Sequence, residues 1–367
     1  MELMLEGTGG PEGWPVPGCG CASCGRLAAG HRRPASILLD GRVRLPPPPW
    51  DARALPALPG HRFHLGPDGL EITGPDGERV LFTAPGLRET PGGATGPRGI
   101  PGEATGAPFD LVLADLLDRP GHLGDLRHRG RVTSATAVIA VGLDHRVPGE
   151  NELNRRLAFW GVGAAADGTV IRVPHAVPEA YRPRRTLLLG GSRSGKSEEA
   201  ELRLAADAAV TYVATGPASE GDPSWSARVR AHRHRRPAHW RTVETTGLAA
   251  LLAAPPPGSL LIDGLGTWLA AVFDECGAWP GGDGGTDADG GAGAAVAERC
   301  DELVAAWRGT RAATVVAVSD EVGLGVIPAT PAGRLFRDAL GRLNQRLARE
   351  SEDVALVVAG RVLPLPI

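Results

Sequence analysis

"TLLLGGSRSGKSEEAELRLAADA", residues 186–208, decides the fold of the C-terminal half. It opens on a short apolar run, continues as GGSRSGKS (190–197), which fits G-x-x-x-x-G-K-[ST], and ends with the spacing of an amphipathic helix. A strand, a glycine-rich turn and a helix in that order make a cradle for phosphate. Gly190, Gly191, Ser192, Arg193, Ser194 and Gly195 would turn backbone N–H groups inward, and the helix N-terminus adds its positive dipole end. Lys196 is the only lysine in a chain with 39 Lys plus Arg. Arginine serves everywhere else. Here a compact ammonium must reach between β- and γ-phosphates, where a planar guanidinium is too wide. Ser197 offers its hydroxyl to Mg2+. A chance Gly/Ser turn would lack the flanking strand and helix.

Around this motif the pattern is regular. The runs TLLLG, VTYVAT (210–215), SLLIDG (259–264), ATVVAVS (313–319) and VALVVAG (354–360) alternate with helical segments, and several are apolar on both faces. Strands buried between helix layers read this way, so an open α/β sheet is expected. SLLIDG ends in Asp263, at the strand edge where such sheets bind ligands, so Asp263 is the second metal-holding candidate beside Ser197; an ordinary turn Asp is the alternative. A helix over 331–351 should bury Leu335, Phe336, Leu340, Leu343 and Leu347 on one stripe. Residues 280–297, rich in Gly and Asp, read as a surface loop.

Residues 1 to about 182 have a different texture, rich in Gly/Pro turns. Strand-like runs lie at 36–40, 69–74, 79–84, 110–115, 137–142 and 169–173, with GPDG as a hairpin turn and a short helix ended by Gly161. Three prolines within 174–185 mark a linker, which divides the chain into 1–178, 179–185 and 186–367. The formal net charge of -3 gives no global basic field, which argues against a nucleic-acid partner. No apolar run approaches the roughly 20 residues of a membrane span, and the N-terminus lacks the pattern of a signal peptide. Five cysteines, three of them between 19 and 24, suit a reducing cytoplasm.

SARVRAHRHRRPAHWRTVET (226–245) packs three His and six Arg into one segment. Composition leaves three readings open: a solvated basic helix, a nucleic-acid patch, or a triphosphate-handling loop with a nucleophilic histidine.

Six ordered stretches narrow the choice: LGGSRSGKS, YVATG, ARVRAHRHRRPAHWRTVE, LLIDGLGTWL, VSDEVGLGVIP and RLFRDALGRLNQRLA. Together they resemble the bifunctional adenosylcobinamide kinase / adenosylcobinamide-phosphate guanylyltransferase family of cobalamin biosynthesis, over about 186–367. The resemblance implies a RecA-like P-loop fold, homotrimers, Mg2+, and two steps. The first is phosphorylation of the adenosylcobinamide hydroxyl by ATP or GTP. The second is transfer of GMP from GTP through a guanylylated histidine. The family pattern R-[IV]-x-x-H-x-x-x-R-P-x-x-W-x-T-x-E falls on Arg228, Val229, His232, Arg236, Pro237, Trp240, Thr242 and Glu244. It makes His232 the implied nucleophile beside Lys196. It sets Arg233, His234, Arg235, Arg236, Glu244, Thr215 and Gly216 along the nucleotide. Two departures stand out. The family's D-C-L-[ST]-x-W is DGLGTW here, with Gly264 and Gly266, and its SNEVG is SDEVG, with Asp320. A catalytically decayed GTP-binding regulator and a P-loop kinase without histidine chemistry are the rival readings.

LEGTGGPEGWPVPGCGCASCGRL (5–27) resembles the opening of metallo-β-lactamase-fold phosphodiesterase-like proteins. The H-x-H-x-D-H metal loop of that fold is missing, and LPPPPW (45–50) runs where it is expected. Asp115 and His145 would be remnants of later ligand positions, so a truncated, non-catalytic domain is expected. Cys19, Cys21 and Cys24 offer three soft ligands for a structural zinc, with His31 as the suggested fourth; free thiols are the alternative.

Overall fold

The computed structural model describes residues 1–46, 50–51, 53, 55–83, 106–175, 182–215, 236–280 and 291–366. The chain forms two compact units, Met1–Ala180 with Ala205–Ala208, and Tyr181–Leu204 with Ala209–Ile367.

The first unit contains β1 (Glu2–Gly7), β2 (Ser36–Leu39), β3 (Val43–Leu45), β4 (Arg62–Gly66), β5 (Gly69–Thr73), β6 (Arg79–Thr83), β7 (Leu111–Ala114), α1 (Pro120–His128), β8 (Ala137–Ala140), α2 (Glu150–Trp160), β9 (Gly163–Ala164) and β10 (Thr169–Arg172). A four-stranded sheet, β10-β1-β2-β3, and a six-stranded sheet, β4 to β9 in sequence order, share one core. Leu3, Leu5, Ile37 and Leu39 from the first meet Leu70, Ile72, Phe82, Leu111 and Leu113 from the second. β7 and β8 are buried at every residue, as the central strands of a sheet covered on both faces must be. Each GPDG forms a turn, one from β4 to β5 and one from β5 to β6. Gly161 closes α2 with φ 62°, the left-handed conformation that suits glycine. The sequence reading passed over β1, whose alternating ELMLEG pairs with both β2 and β10.

The second unit contains β11 (Arg185–Gly190), α3 (Lys196–Leu204), β12 (Val210–Ala214), β13 (Arg241–Glu244), α4 (Leu248–Ala253), β14 (Ser259–Asp263), α5 (Leu265–Glu275), α6 (Gly291–Gly309), β15 (Thr314–Asp320), α7 (Pro331–Arg349), β16 (Asp353–Val358) and β17 (Arg361–Pro364). Its seven-stranded sheet runs β13-β12-β14-β15-β11-β16-β17, parallel except for β17. This is the open α/β sheet expected from the sequence. Alternation along β11 shows why its run is apolar throughout. Leu187 and Leu189 face a core shared with α4 to α7, whereas Leu188 faces the core shared with Ala200 and Leu204 of α3. Cutting a fully buried leucine such as Leu188 back to alanine costs about 2–5 kcal/mol.

Two expectations are corrected here. The 280–297 loop is shorter than read: α6 starts at Gly291, because the Ala-rich end favours helix and Val296 enters the core; residues 281–290 lie outside the described residues. On α7, Leu340, Leu343 and Leu347 are buried and Phe336 is half-buried, but Leu335 is exposed, one residue off the stripe. Among the described residues no helix is long and apolar enough to cross a membrane.

Candidate functional site

The parallel strands end together, and the candidate residues gather at that edge. β11 stops at Gly190, and the chain turns through Gly191 to Gly195 before α3 begins at Lys196. Arg193 (φ 56°) and Gly195 (φ 95°) take the left-handed conformation that reverses the chain tightly. A side chain on Gly190 would set its Cβ 2.5 Å from Ser194 Oγ, so the cradle needs glycine there. Ser194 Oγ is buried with no hydrogen-bond partner among the described residues, an orphan donor inside the loop. Lys196 Nζ donates to the Gly191 carbonyl at 3.1 Å, folding the ammonium over the loop.

Asp263 lies one strand away from the loop strand, because β15 separates β14 from β11. That spacing lets Ser197 Oγ donate to Asp263 Oδ1 at 3.0 Å. A hydroxyl and a carboxylate facing each other beside a phosphate cradle are the oxygen donors Mg2+ prefers, so the residues present fit that ion. Sequence reasoning missed Tyr212. Its phenol donates to Asp263 Oδ2 at 2.5 Å, and burial, reinforced by the negative charge of Asp263, pushes its pKa up. Period-two alternation on β12 carried the signal, since it turns Tyr212, with Val210 and Ala214, toward the smaller core.

The other named residues divide. Thr215 sits at the end of β12, but its hydroxyl is directed to the Gly264 carbonyl (2.6 Å) and Thr267 Oγ1 (2.9 Å). Arg236 lies with its guanidinium over the Tyr212 ring, 3.1 Å from the centroid, and its Nε is 3.6 Å from Glu201 Oε1. Glu244 ends β13, opposite Ala214. The bland helix reading of the basic segment fails over 241–244, which form the edge strand β13. Gly216, His232, Arg233, His234 and Arg235 lie outside the described residues.

In the first unit, Cys19, Cys21, Cys24 and His145 bring four ligand atoms within 4.8 Å of one another. His145 Nδ1 is 3.3 Å from Cys19 Sγ and 3.6 Å from Cys24 Sγ, close to the edge of about 3.6 Å that zinc bond lengths imply for a tetrahedron of three sulfurs and one nitrogen. His31 is therefore not the fourth member; its Nε2 is 2.8 Å from Glu150 Oε1. The Ser23 hydroxyl fixes the approach by donating to the Val147 carbonyl at 2.6 Å, which pins the cysteine loop to the loop carrying His145. Asp115 is not part of this cluster. The Arg146 guanidinium occupies the space among Asp115, Asp118 and Asp144, so a fixed cation stands against these carboxylates.

With this geometry in hand, known proteins are informative. The family model described as cobinamide kinase / cobinamide phosphate guanyltransferase matches residues 186–365. The bifunctional adenosylcobalamin biosynthesis protein CobP of Pseudomonas aeruginosa is 40% identical over 49% of this chain and 96% of its own length. Proteins of that description called CobU are 36% identical in Salmonella typhimurium and 38% in Escherichia coli, each over 47% of this chain and 95% of theirs.

Proposed function

The chain belongs to the cobinamide kinase / cobinamide phosphate guanyltransferase family, and from that premise we propose how its residues divide the two reactions. It is a bifunctional enzyme of adenosylcobalamin biosynthesis acting through residues 186–365. In the kinase step the N–H groups of 190–195 and Lys196 hold the triphosphate and offset the charge that gathers on the transferring γ-phosphoryl group. Ser197 and Asp263 would hold Mg2+, which supplies further charge neutralisation at the phosphates. The observation that carries this reading is the 3.0 Å Ser197–Asp263 contact beside a loop with an orphaned donor.

In the second step the His232 imidazole attacks the α-phosphorus of GTP. A P–N bond forms, the bond to the α–β bridging oxygen breaks, and pyrophosphate leaves. A phosphate oxygen of adenosylcobinamide phosphate then displaces the imidazole, giving adenosyl-GDP-cobinamide. Arg233, His234, Arg235, Arg236, Glu244, Thr215 and Gly216 are assigned to the nucleotide around that histidine. The imidazole must be neutral to attack, so guanylylation falls as pH drops through the ordinary histidine range, about 6.5.

The decisive test is incubation with GTP labelled at the α-phosphate, with His232→Ala beside the wild type. Acid-labile, base-stable label on the wild type alone supports the assignment. GTP binding without label on either protein would favour a decayed regulatory binder. Residues 1–178 are assigned to a non-catalytic domain related to the metallo-β-lactamase fold, stabilised by zinc on Cys19, Cys21, Cys24 and His145. The reading also includes a cytoplasmic location, adenosylcobinamide as substrate, and homotrimers formed through the C-terminal domain.

A further inference from the structure

Lys196 has an anionic partner within the protein. Its Nζ is 2.8 Å from Asp320 Oδ1, at the end of β15, and the same ammonium donates to the Gly191 carbonyl at 3.1 Å. Register sets this meeting. Asp320 stands opposite Gly190, the last residue of β11 before the cradle. The backbone on both sides of Asp320 is tied down. The Glu321 N–H donates to the Gly190 carbonyl at 3.1 Å, Asn344 Nδ2 of α7 donates to the Asp320 carbonyl at 3.1 Å, and Ser319 Oγ donates to Asn344 Oδ1 at 2.6 Å. The carboxylate is therefore held within reach of the cradle lysine.

The pair is partly sheltered, with the Lys196 side chain 13% exposed and that of Asp320 41%. Lower effective dielectric strengthens the attraction, and it equally strengthens repulsion of a second anion brought alongside. An ammonium that reaches between β- and γ-phosphates must leave the Asp320 carboxylate or draw it toward the phosphates, where like charges repel. Asparagine, which the family pattern has here, differs in this respect. Its amide carbonyl can accept from the ammonium, but it is neutral, so it holds lysine less tightly and does not repel phosphate. Neighbouring acids have other partners. Both oxygens of Asp263 accept hydrogen bonds, from Ser197 and Tyr212. The Glu321 carboxylate turns back to accept from the Gly323 N–H at 2.7 Å.

We propose that Asp320 competes with nucleotide phosphates for Lys196 and so weakens the hold of this chain on nucleotide. On the kinase reading above, on which this rests, the cradle grips a nucleotide only as Lys196 leaves Asp320. Apparent affinity is lowered by the fraction of protein in which the lysine stays with the carboxylate. After phosphoryl transfer the diphosphate holds Lys196 through fewer charges, Asp320 reclaims it, and the product leaves more readily. Asp320 is thus a positioning residue that acts on the nucleotide through Lys196, and phosphoryl transfer itself does not require it.

The test is calorimetric titration of the full chain with ADP and with GDP, each with Mg2+, for the wild type, Asp320→Asn and Glu321→Gln. The diphosphates carry the β-phosphate that Lys196 reaches and have no γ-phosphoryl group to transfer. Asparagine keeps the shape and removes the charge, and a gain in affinity cannot come from a misfolded variant. Expected is tightening of about 3–10-fold in Asp320→Asn, the scale of one partly exposed ion pair and the repulsion it brings, with Glu321→Gln within about twofold of the wild type. Affinity unchanged or weakened in Asp320→Asn overturns the proposal alone. Equal tightening in both variants also overturns it, because loss of any acid at this strand end would then suffice and Lys196 would not be the intermediary. A wild type that binds neither diphosphate overturns the kinase reading and this proposal together.

Discussion

The Tyr212 phenol donates to Asp263 Oδ2 at 2.5 Å while Ser197 donates to Oδ1 at 3.0 Å, so both oxygens of the Asp263 carboxylate have a fixed partner. Tyr212→Phe removes one of these and keeps the ring in its core. Hydrogen bonds to charged groups are worth about 1.5–3 kcal/mol, and partners that orient a metal-holding side chain typically carry about 10–100-fold in metal affinity. The expected result is a rise of that size in the Mg2+ concentration for half-maximal kinase activity, measured by Mg2+ titration.

The same bond has a pH signature. Burial, then the Asp263 charge, raises the Tyr212 pKa in the folded protein above the ordinary value of about 10. The fold thus favours the neutral phenol. The stabilisation is complete below the unfolded pKa and is lost as pH rises through the folded one. The chain has two tyrosines. Alkaline titration of the native protein, followed by tyrosinate absorbance, should show no ionisation of Tyr212 at about pH 10, with that amplitude returning on denaturation.

Lys196 offers a direct probe of the cradle, since amine-directed acylation can modify only one side chain in a chain with one lysine. Saturating nucleotide should protect Lys196, as read by peptide mass mapping. Lys196→Arg should lose at least about 10²-fold in kinase kcat/KM, the scale of removing one well-placed donor, because the wider guanidinium cannot follow the ammonium into the loop.

What the sequence made legible follows from which interactions are local. The cradle, its strand and its helix are contiguous, so GGSRSGKS could be read outright. Asp263 was readable because an apolar strand ends on it. Tyr212 was not, because the partner that gives it meaning is 51 residues away on another strand. His145 failed for the same reason: 121 residues separate it from Cys24, and His31 was merely nearer in sequence. Edge strand β13 was obscured by its charges, which an edge strand carries freely. Asp320 and Gly266 were each visible as departures, but only the fold shows that a Cβ at 266 would lie 2.6 Å from Asp320 Oδ2.

The Cys–His cluster predicts its own chemistry. Bound zinc should be one equivalent per chain, lowered by His145→Ala and unchanged by His31→Ala, as measured by elemental analysis after dialysis. In the zinc-free protein the Cys24 N–H stabilises the Cys21 thiolate and brings its pKa down to about 7, whereas burial raises that of Cys24. Thiolate is the reactive form, so Cys21 should be alkylated first near neutral pH, faster as pH rises, and zinc should block the reaction.

Gly264 tests whether this chain has committed to its own version of the site. Its φ of 110° lies where side chains other than hydrogen are strained, and a Cβ there would collide with Thr267 Oγ1 and lie 3.2 Å from Thr215 Oγ1. Those two hydroxyls are joined to each other and to the Gly264 carbonyl, so the collision reaches the network that ties the end of β12 to the start of α5. Backbone strain of this kind costs about 1–3 kcal/mol, before any displacement of the threonines. Gly264→Cys, which restores the family's residue, should therefore destabilise this protein by at least that amount, seen as a lower urea midpoint with an unchanged m-value. An unchanged midpoint would mean that the turn can adopt another backbone conformation.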